Sequence, residues 1–290
     1  MTKMLAVYKK ELKTYFTSVI GYLFISFILV LIGIYFTSYN IGAAYPKFEV
    51  TLSAGTFVFL IAVPILTMRI LAEERRQKTD QLLFTSPVSI GRIVMGKYLA
   101  LVTIYLVPIV ILCFYPLILR QYGEVTLGSA YSAILGFFLL GCANLAIGVF
   151  MSAVTESQVI AAVLTFLVLF ACHVTEGISS FFSETAFTSY AAFVVVLAVL
   201  TWGLYTMIHN TFISVTIGVA AEVALLIAYL TKASIFEGAI QKVLNIFNIS
   251  GHFDNFINGI LDIQGIIYFL SVVIVCIFLT VQSIAKRRWN

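Results

Sequence analysis

The stretch of this chain whose residue types and spacing come closest to known chemistry is Gly91-Arg92-Ile93-Val94-Met95-Gly96-Lys97-Tyr98. It falls one side chain short of the pattern GxxxxGK[ST], a loop whose backbone amides cradle phosphates and whose final hydroxyl holds magnesium. Tyr98 is unsuited to the magnesium role, and no buried strand precedes the glycines. The chain is therefore expected to carry no ATP site. Gly96 and Lys97 instead mark where a helix enters the membrane, with Lys97 snorkelling into the headgroups.

The next chemically suggestive residues are ionisable groups inside apolar stretches. Glu222 is the one carboxylate well inside an expected span. Placing it there costs on the order of 2.5–3.5 kcal/mol, so it must face protein or water. His209 is a candidate partner, and Asn144, His173 and Glu176 are further polar points. Each either lines a pathway or hydrogen-bonds between helices. No metal-ligand or nucleophile and base spacing stands out, so catalysis, cofactor binding and metal binding by this chain are not expected.

The elements that position these residues follow from composition. Of 290 residues, 61% are hydrophobic and 10% charged, against about 25% charged for a soluble domain. That excludes a soluble globular protein. Apolar runs long enough to span lie at about 19–36, 52–70, 98–119, 129–152, 159–175, 187–208, 211–230 and 265–285. The fold class is thus an all-α polytopic bundle of about eight spans, or six if residues 185–230 do not cross twice. Gly136, Gly141, Ala143, Ala146 and Gly148 in the fourth span let another helix approach closely. Cys113, Cys142, Cys172 and Cys276 all sit in apolar runs and read as small packing residues.

Thirteen of the 17 Lys and Arg residues fall on one side of this layout and four on the other. The basic side faces the cytoplasm, which places both termini inside. Residues 1–18 carry Met4, Leu5, Tyr8, Leu12, Tyr15 and Phe16 on one helical face with lysines beside it. This is either an amphipathic helix at the cytoplasmic interface or a basic flank. Residues 232–264 form the long extracytoplasmic connection. There Phe253, Phe256, Ile257, Ile260 and Leu261 make one apolar face, lying on the outer interface, capping a pore, or belonging to a solvated loop.

The only long charged run between apolar blocks spans residues 69–97, and its cytoplasmic part at 73–97 contains Glu73, Glu74, Arg75, Arg76, Lys78, Thr79, Leu82, Leu83, Phe84, Thr85, Ser86 and Pro87. Thr79 reads as an N-cap, Asp80 suits a first turn, and Pro87 stops a helix of roughly two turns. The order Glu-Glu-Arg-Arg-Gln-Lys-Thr, leucines, Thr-Ser-Pro-Val-Ser, then Gly-Lys resembles the coupling segment of type-two ABC transporter permeases. Lys78 stands where that family usually has glycine. Thr155-Glu156-Ser157-Gln158, and His252-Phe253 through Tyr268-Phe269 to Arg287-Arg288-Trp289, resemble the gliding-motility (GldF-like) group. Residues 185–231 look like an added helix pair.

The resemblance implies a single membrane-spanning permease domain over residues 1–290, the subunit of an ATP-driven ABC transporter that exports its substrate. It also implies a second permease copy or homologue, separate ATPase subunits holding ATP and magnesium, an extracytoplasmic auxiliary subunit, and a bacterial inner or cytoplasmic membrane. Residues 79–89 would contact the ATPase, and no nucleic-acid partner is expected. The competing readings are an ion-coupled secondary carrier using Glu222 and a structural membrane subunit.

Overall fold

The computed structural model describes residues 2–79, 88–208 and 211–287. Among them every regular element is a helix, the form in which a lipid-embedded segment satisfies its own backbone polar groups. In chain order these are α1 (Thr2–Thr17), α2 (Val19–Tyr35, prolonged by the π-helical Phe36–Gly42), α3 (Phe48–Gly55), α4 (Phe59–Thr67), α5 (Ala72–Arg76), α6 (Ile90–Leu112) and α7 (Tyr115–Leu119). There follow α8 (Leu127–Val154), α9 (Gln158–Phe181), α10 (Ala186–Ile208), α11 (Thr211–Thr231), α12 (Ala239–Phe247), α13 (Asp254–Ile257) and α14 (Ile263–Arg287).

Seven described helical runs are long and apolar enough to cross a membrane, and an eighth counts if the bent pair Val215–Thr231 and Ala233–Phe247 is one span. The chain divides into two compact units, Met1–Ala171 with His252–Asn290, and Cys172–Gly251. The helix pair α10 and α11, which the sequence marks as additional, belongs to the second.

The first unit is built on α8. Its glycines meet three different neighbours: Gly136 lies against Phe253 and Phe256, Gly141 against Tyr105, and Gly148 against Thr67. A methyl group at any of these positions would collide with its neighbour, so the expectation that small residues admit close approach holds residue by residue. Two tyrosines of α6 fix the α6 to α8 register. Tyr98 donates to Cys142 O at 3.1 Å and Tyr105 to Phe137 O at 2.7 Å.

Two sequence expectations change here. Helix α6 begins at Ile90 rather than near residue 98, because its first turns face protein and tolerate charge that lipid would reject. The apolar face of residues 253–261 is neither a solvated loop nor wholly a lipid surface. Phe253 and Phe256 are buried under α8, while Ile260 and Leu261 stay exposed. After α13 the chain turns at Gly259, whose φ is 78°. Asp262 then accepts from the Gln264 N–H and the Asn255 amide, at 2.9 and 2.8 Å. The Asn255 hydrogen bond, then those from the backbone, hold the Asp262 carboxyl below its ordinary range. Its contribution to stability is therefore present at neutral pH and lost only as pH falls through that lowered value.

In the second unit Tyr190 of α10 stacks on Tyr229 of α11 with ring centroids 4.7 Å apart. Gly218 gives Thr201 room to pack between the helices.

Gly259→Ala is expected to destabilise the first unit by about 2 kcal/mol, since a left-handed backbone costs a side chain roughly 1–2 kcal/mol and the new Cβ would press on Ser129. Thermal unfolding in detergent checks this. A melting curve matching the unsubstituted protein would refute it.

Candidate functional site

The charged run does not hang free of the bundle. Its first part, residues 69–79, is fastened at one end of the first unit to three other stretches of chain, and Lys97 is the centre of that fastening. The Lys97 ammonium is 1% exposed. It reaches Glu11 of α1 at 2.8 Å, Glu74 of α5 at 2.9 Å and the carbonyl of Ile70 at 3.0 Å. An ammonium has three donors, and all three are used. Gly96 makes this possible: Met4 O and Val7 of α1 lie 3.0 and 3.3 Å from where a Cβ would be. The expectation that Lys97 snorkels into headgroups is thus corrected. It lies two turns inside α6, buried between two carboxylates. Gly91 and Gly96 are helical throughout, not the open loop that a phosphate cradle requires.

Helix α1 packs along α6 and α2, and its inward residues are Met4, Val7, Tyr8, Glu11 and Tyr15, with the oxygen of Tyr8 3.0 Å from that of Thr103. Tyr15 donates to Leu66 O at 3.0 Å, satisfying a carbonyl near the end of α4. Burial pushes its hydroxyl well above the ordinary tyrosine range, so it remains a neutral donor. Leu5 faces outward instead, so the apolar stripe expected for residues 1–18 is rotated towards protein.

Two more contacts fasten the run. Ser152 of α8 accepts from the backbone N–H groups of Leu71 and Ala72 at 3.2 and 3.1 Å, and donates to Met68 O at 3.3 Å. No side chain within the run caps α5, so α8 supplies the cap from 81 residues away, and Gly148 one turn earlier lets α4 come close enough. Arg75 donates to Ala153 O at 2.8 Å and Glu156 at 2.9 Å, which satisfies a carbonyl at the C-terminus of α8. The two motifs carrying the family likeness, Glu-Glu-Arg-Arg and Thr-Glu-Ser-Gln, therefore touch.

Helix α5 ends in a Schellman turn: the Thr79 N–H bonds to Glu74 O and the Lys78 N–H to Arg75 O, at 2.9 and 3.0 Å. Lys78 adopts φ 56°, a left-handed conformation that glycine takes at no steric cost. Glu73 pairs with Arg69 at 2.6 Å, while Arg76 and Lys78 are exposed. Lys10, Tyr15, Arg69, Glu73, Glu74 and Lys97 are among the residues around a cavity of about 260 Å³. Asp80, Gln81, Leu82, Leu83, Phe84, Thr85, Ser86 and Pro87 lie outside the described residues, as does any helix that Thr79 would cap.

The remaining candidates take no part in the contacts just described. Asn144 is buried in α8. His173 Nδ1 is 3.1 Å from the Ser250 hydroxyl, and the Glu176 side chain lies outside those described. Glu222 is half-buried beside a cavity of about 340 Å³ with Trp202 and Tyr205; its proposed partner His209 lies outside the described residues.

Residues 45–281 match the model of the ABC-2 family transporter protein. The chain belongs to the ABC-2 transporter family. It is accordingly a multi-pass transmembrane component of an ABC transporter, a type of protein that works with ABC ATPase subunits. No curated protein matches it.

Glu11 and Ser152 were the residues that sequence reasoning missed. The signal for Glu11 was present: one acid on the Tyr8 and Tyr15 face of an otherwise basic helix. Lys97→Met is expected to cost about 3–5 kcal/mol, because it leaves two carboxylates buried without their cation. Thermal stability in detergent, with Glu11→Gln and the double variant completing a cycle, measures this. Additive effects would show that the pair is not coupled.

Proposed function

We propose that this chain is the permease subunit of an ATP-driven exporter, in which a separate ATPase holds ATP and magnesium and acts on the membrane bundle through residues 79–89. The observation that carries this reading is the fastening of the preceding residues to α1, α6 and α8. A force applied just beyond Thr79 reaches α5 through a rigid Schellman turn. From α5 it passes to α6 and α1 through Lys97, and to α8 through Ser152 and Arg75. The basic side, with this junction, faces the cytoplasm in the proposed orientation, and both termini lie there.

Leu82, Leu83 and Phe84 supply the apolar contact for the ATPase, flanked by the exposed charges Arg76 and Lys78, which steer the approach. Export as the direction, a second permease copy or homologue, an extracytoplasmic auxiliary subunit and a bacterial inner membrane rest on the likeness to the gliding-motility group. Glu222 remains a pathway candidate because its carboxylate borders a cavity and forms no hydrogen bond or ion pair among the described residues.

Leu83→Asp is expected to weaken ATPase association by roughly 10- to 100-fold, since burying a leucine contributes about 1.5–3 kcal/mol. Membrane yield should be unchanged. Co-purification of the ATPase alongside yield provides the measurement, and full retention of the ATPase would overturn the coupling assignment.

A further inference from the structure

Helix α12 leaves the end of α11 at 112°. A span that crosses near the membrane normal therefore delivers α12 close to the membrane plane. The inner face of α12 is already occupied within its own unit. The Ile240 N–H bonds to the Ser189 hydroxyl at 3.3 Å, the Gln241 amide donates to Phe182 O at 2.8 Å, and the Ile240 side chain is buried. Alongside that face, towards the C-terminal end of the helix, runs an exposed apolar stripe: Ile246 is 62% exposed and Phe247 59%, with Val243 between them on the helix surface and Ile235 just before the helix. Residues 243, 246 and 247 follow the three- and four-residue spacing of one helical stripe.

Two further features fit one kind of partner. Lys232 and Lys242 are exposed and form no ion pair among the described residues, so they are available to phosphates. At the same end of the hairpin, Tyr190, Phe193, Tyr229 and Phe236 form an aromatic cluster, with Tyr229 and Phe236 centroids 5.7 Å apart. Aromatic groups gather at the depth where headgroups meet acyl chains.

We infer that α12 is a lipid-surface anchor, with Ile246 and Phe247 inserted at the headgroup boundary and Lys232 and Lys242 on lipid phosphates. An interfacial helix of this type sinks its apolar face about 5–10 Å. It holds the outer end of the α10 and α11 hairpin at a fixed depth, a role independent of the coupling function proposed above. A re-entrant course and a protein-covered face are the alternatives that the experiment must separate.

The test places a single tryptophan at the boundary: Phe247→Trp in a Trp202→Phe, Trp289→Phe background, with the full chain reconstituted in phosphatidylcholine vesicles. Ile246→Trp in the same background serves as a second reporter. Both positions are exposed, so folding should survive. Emission is expected to fall by about half with lipid brominated high on its acyl chains, and less with lipid brominated near the chain ends. Stronger quenching by the deep bromines would overturn the inference in favour of a re-entrant segment. Quenching by aqueous iodide alone would mean a solvated helix, and protection from lipid and iodide alike would mean a protein partner; either result overturns it.

Discussion

The first unit depends on one buried cation. Removing an ammonium from water costs several kcal/mol, and the cost is recovered only when every donor finds a good acceptor. Lys97 meets that condition with acceptors from three separate parts of the chain: α1, α5 and the peptide just before α5. Loss of any one leaves the other charges stranded, so the three segments are constrained to move together. The glycine before it removes the side chain that would hold α1 away. The Gly-Lys pair is therefore a packing device followed by an electrostatic one.

Magnitudes make this junction a credible transmission element. Moving a two-state gate from 1:99 to 99:1 takes about 5.5 kcal/mol of differential interaction. Breaking a buried ion pair costs about 3–5 kcal/mol, so a movement of α5 carries α6 and α1 with it before the pair separates. The exposed contact between Arg75 and Glu156, whose carboxylate side chain is 70% exposed, contributes far less. The hydrogen bonds from Arg75 and to Ser152 matter more, because they satisfy backbone groups at helix ends.

The spans and the glycine stripe of α8 were legible in the sequence because lipid imposes a strict length and forbids unpaired charge. The register of charged residues was not. In the sequence alone charge marks a membrane boundary, which puts the start of α6 several residues late and sends Lys97 to the headgroups. Protein neighbours, invisible in a single sequence, supplied the carboxylates that allow a lysine inside. The same blindness hid Ser152, whose partners lie about 80 residues away, and exchanged the roles of two segments of the connection after α11. Phe253 and Phe256 read as a surface face but are core, whereas residues 239–247, read as part of a polar connection, carry the exposed apolar stripe. Lys78 is the opposite case. The resemblance leads one to expect glycine there, and the positive φ shows why glycine suits that position.

Lys97 links α1 to the segment proposed to meet the ATPase, and amide hydrogen exchange in α1 tests that link. The measurement compares the complex with its ATPase in the nucleotide-free state and trapped with ATP, for the unsubstituted chain and for Glu11→Gln. The account predicts that exchange across Thr2–Thr17 changes with nucleotide in the unsubstituted complex, and that the change disappears in Glu11→Gln while the ATPase stays bound. Exchange in α1 that ignores nucleotide, or a response that survives Glu11→Gln, would contradict it.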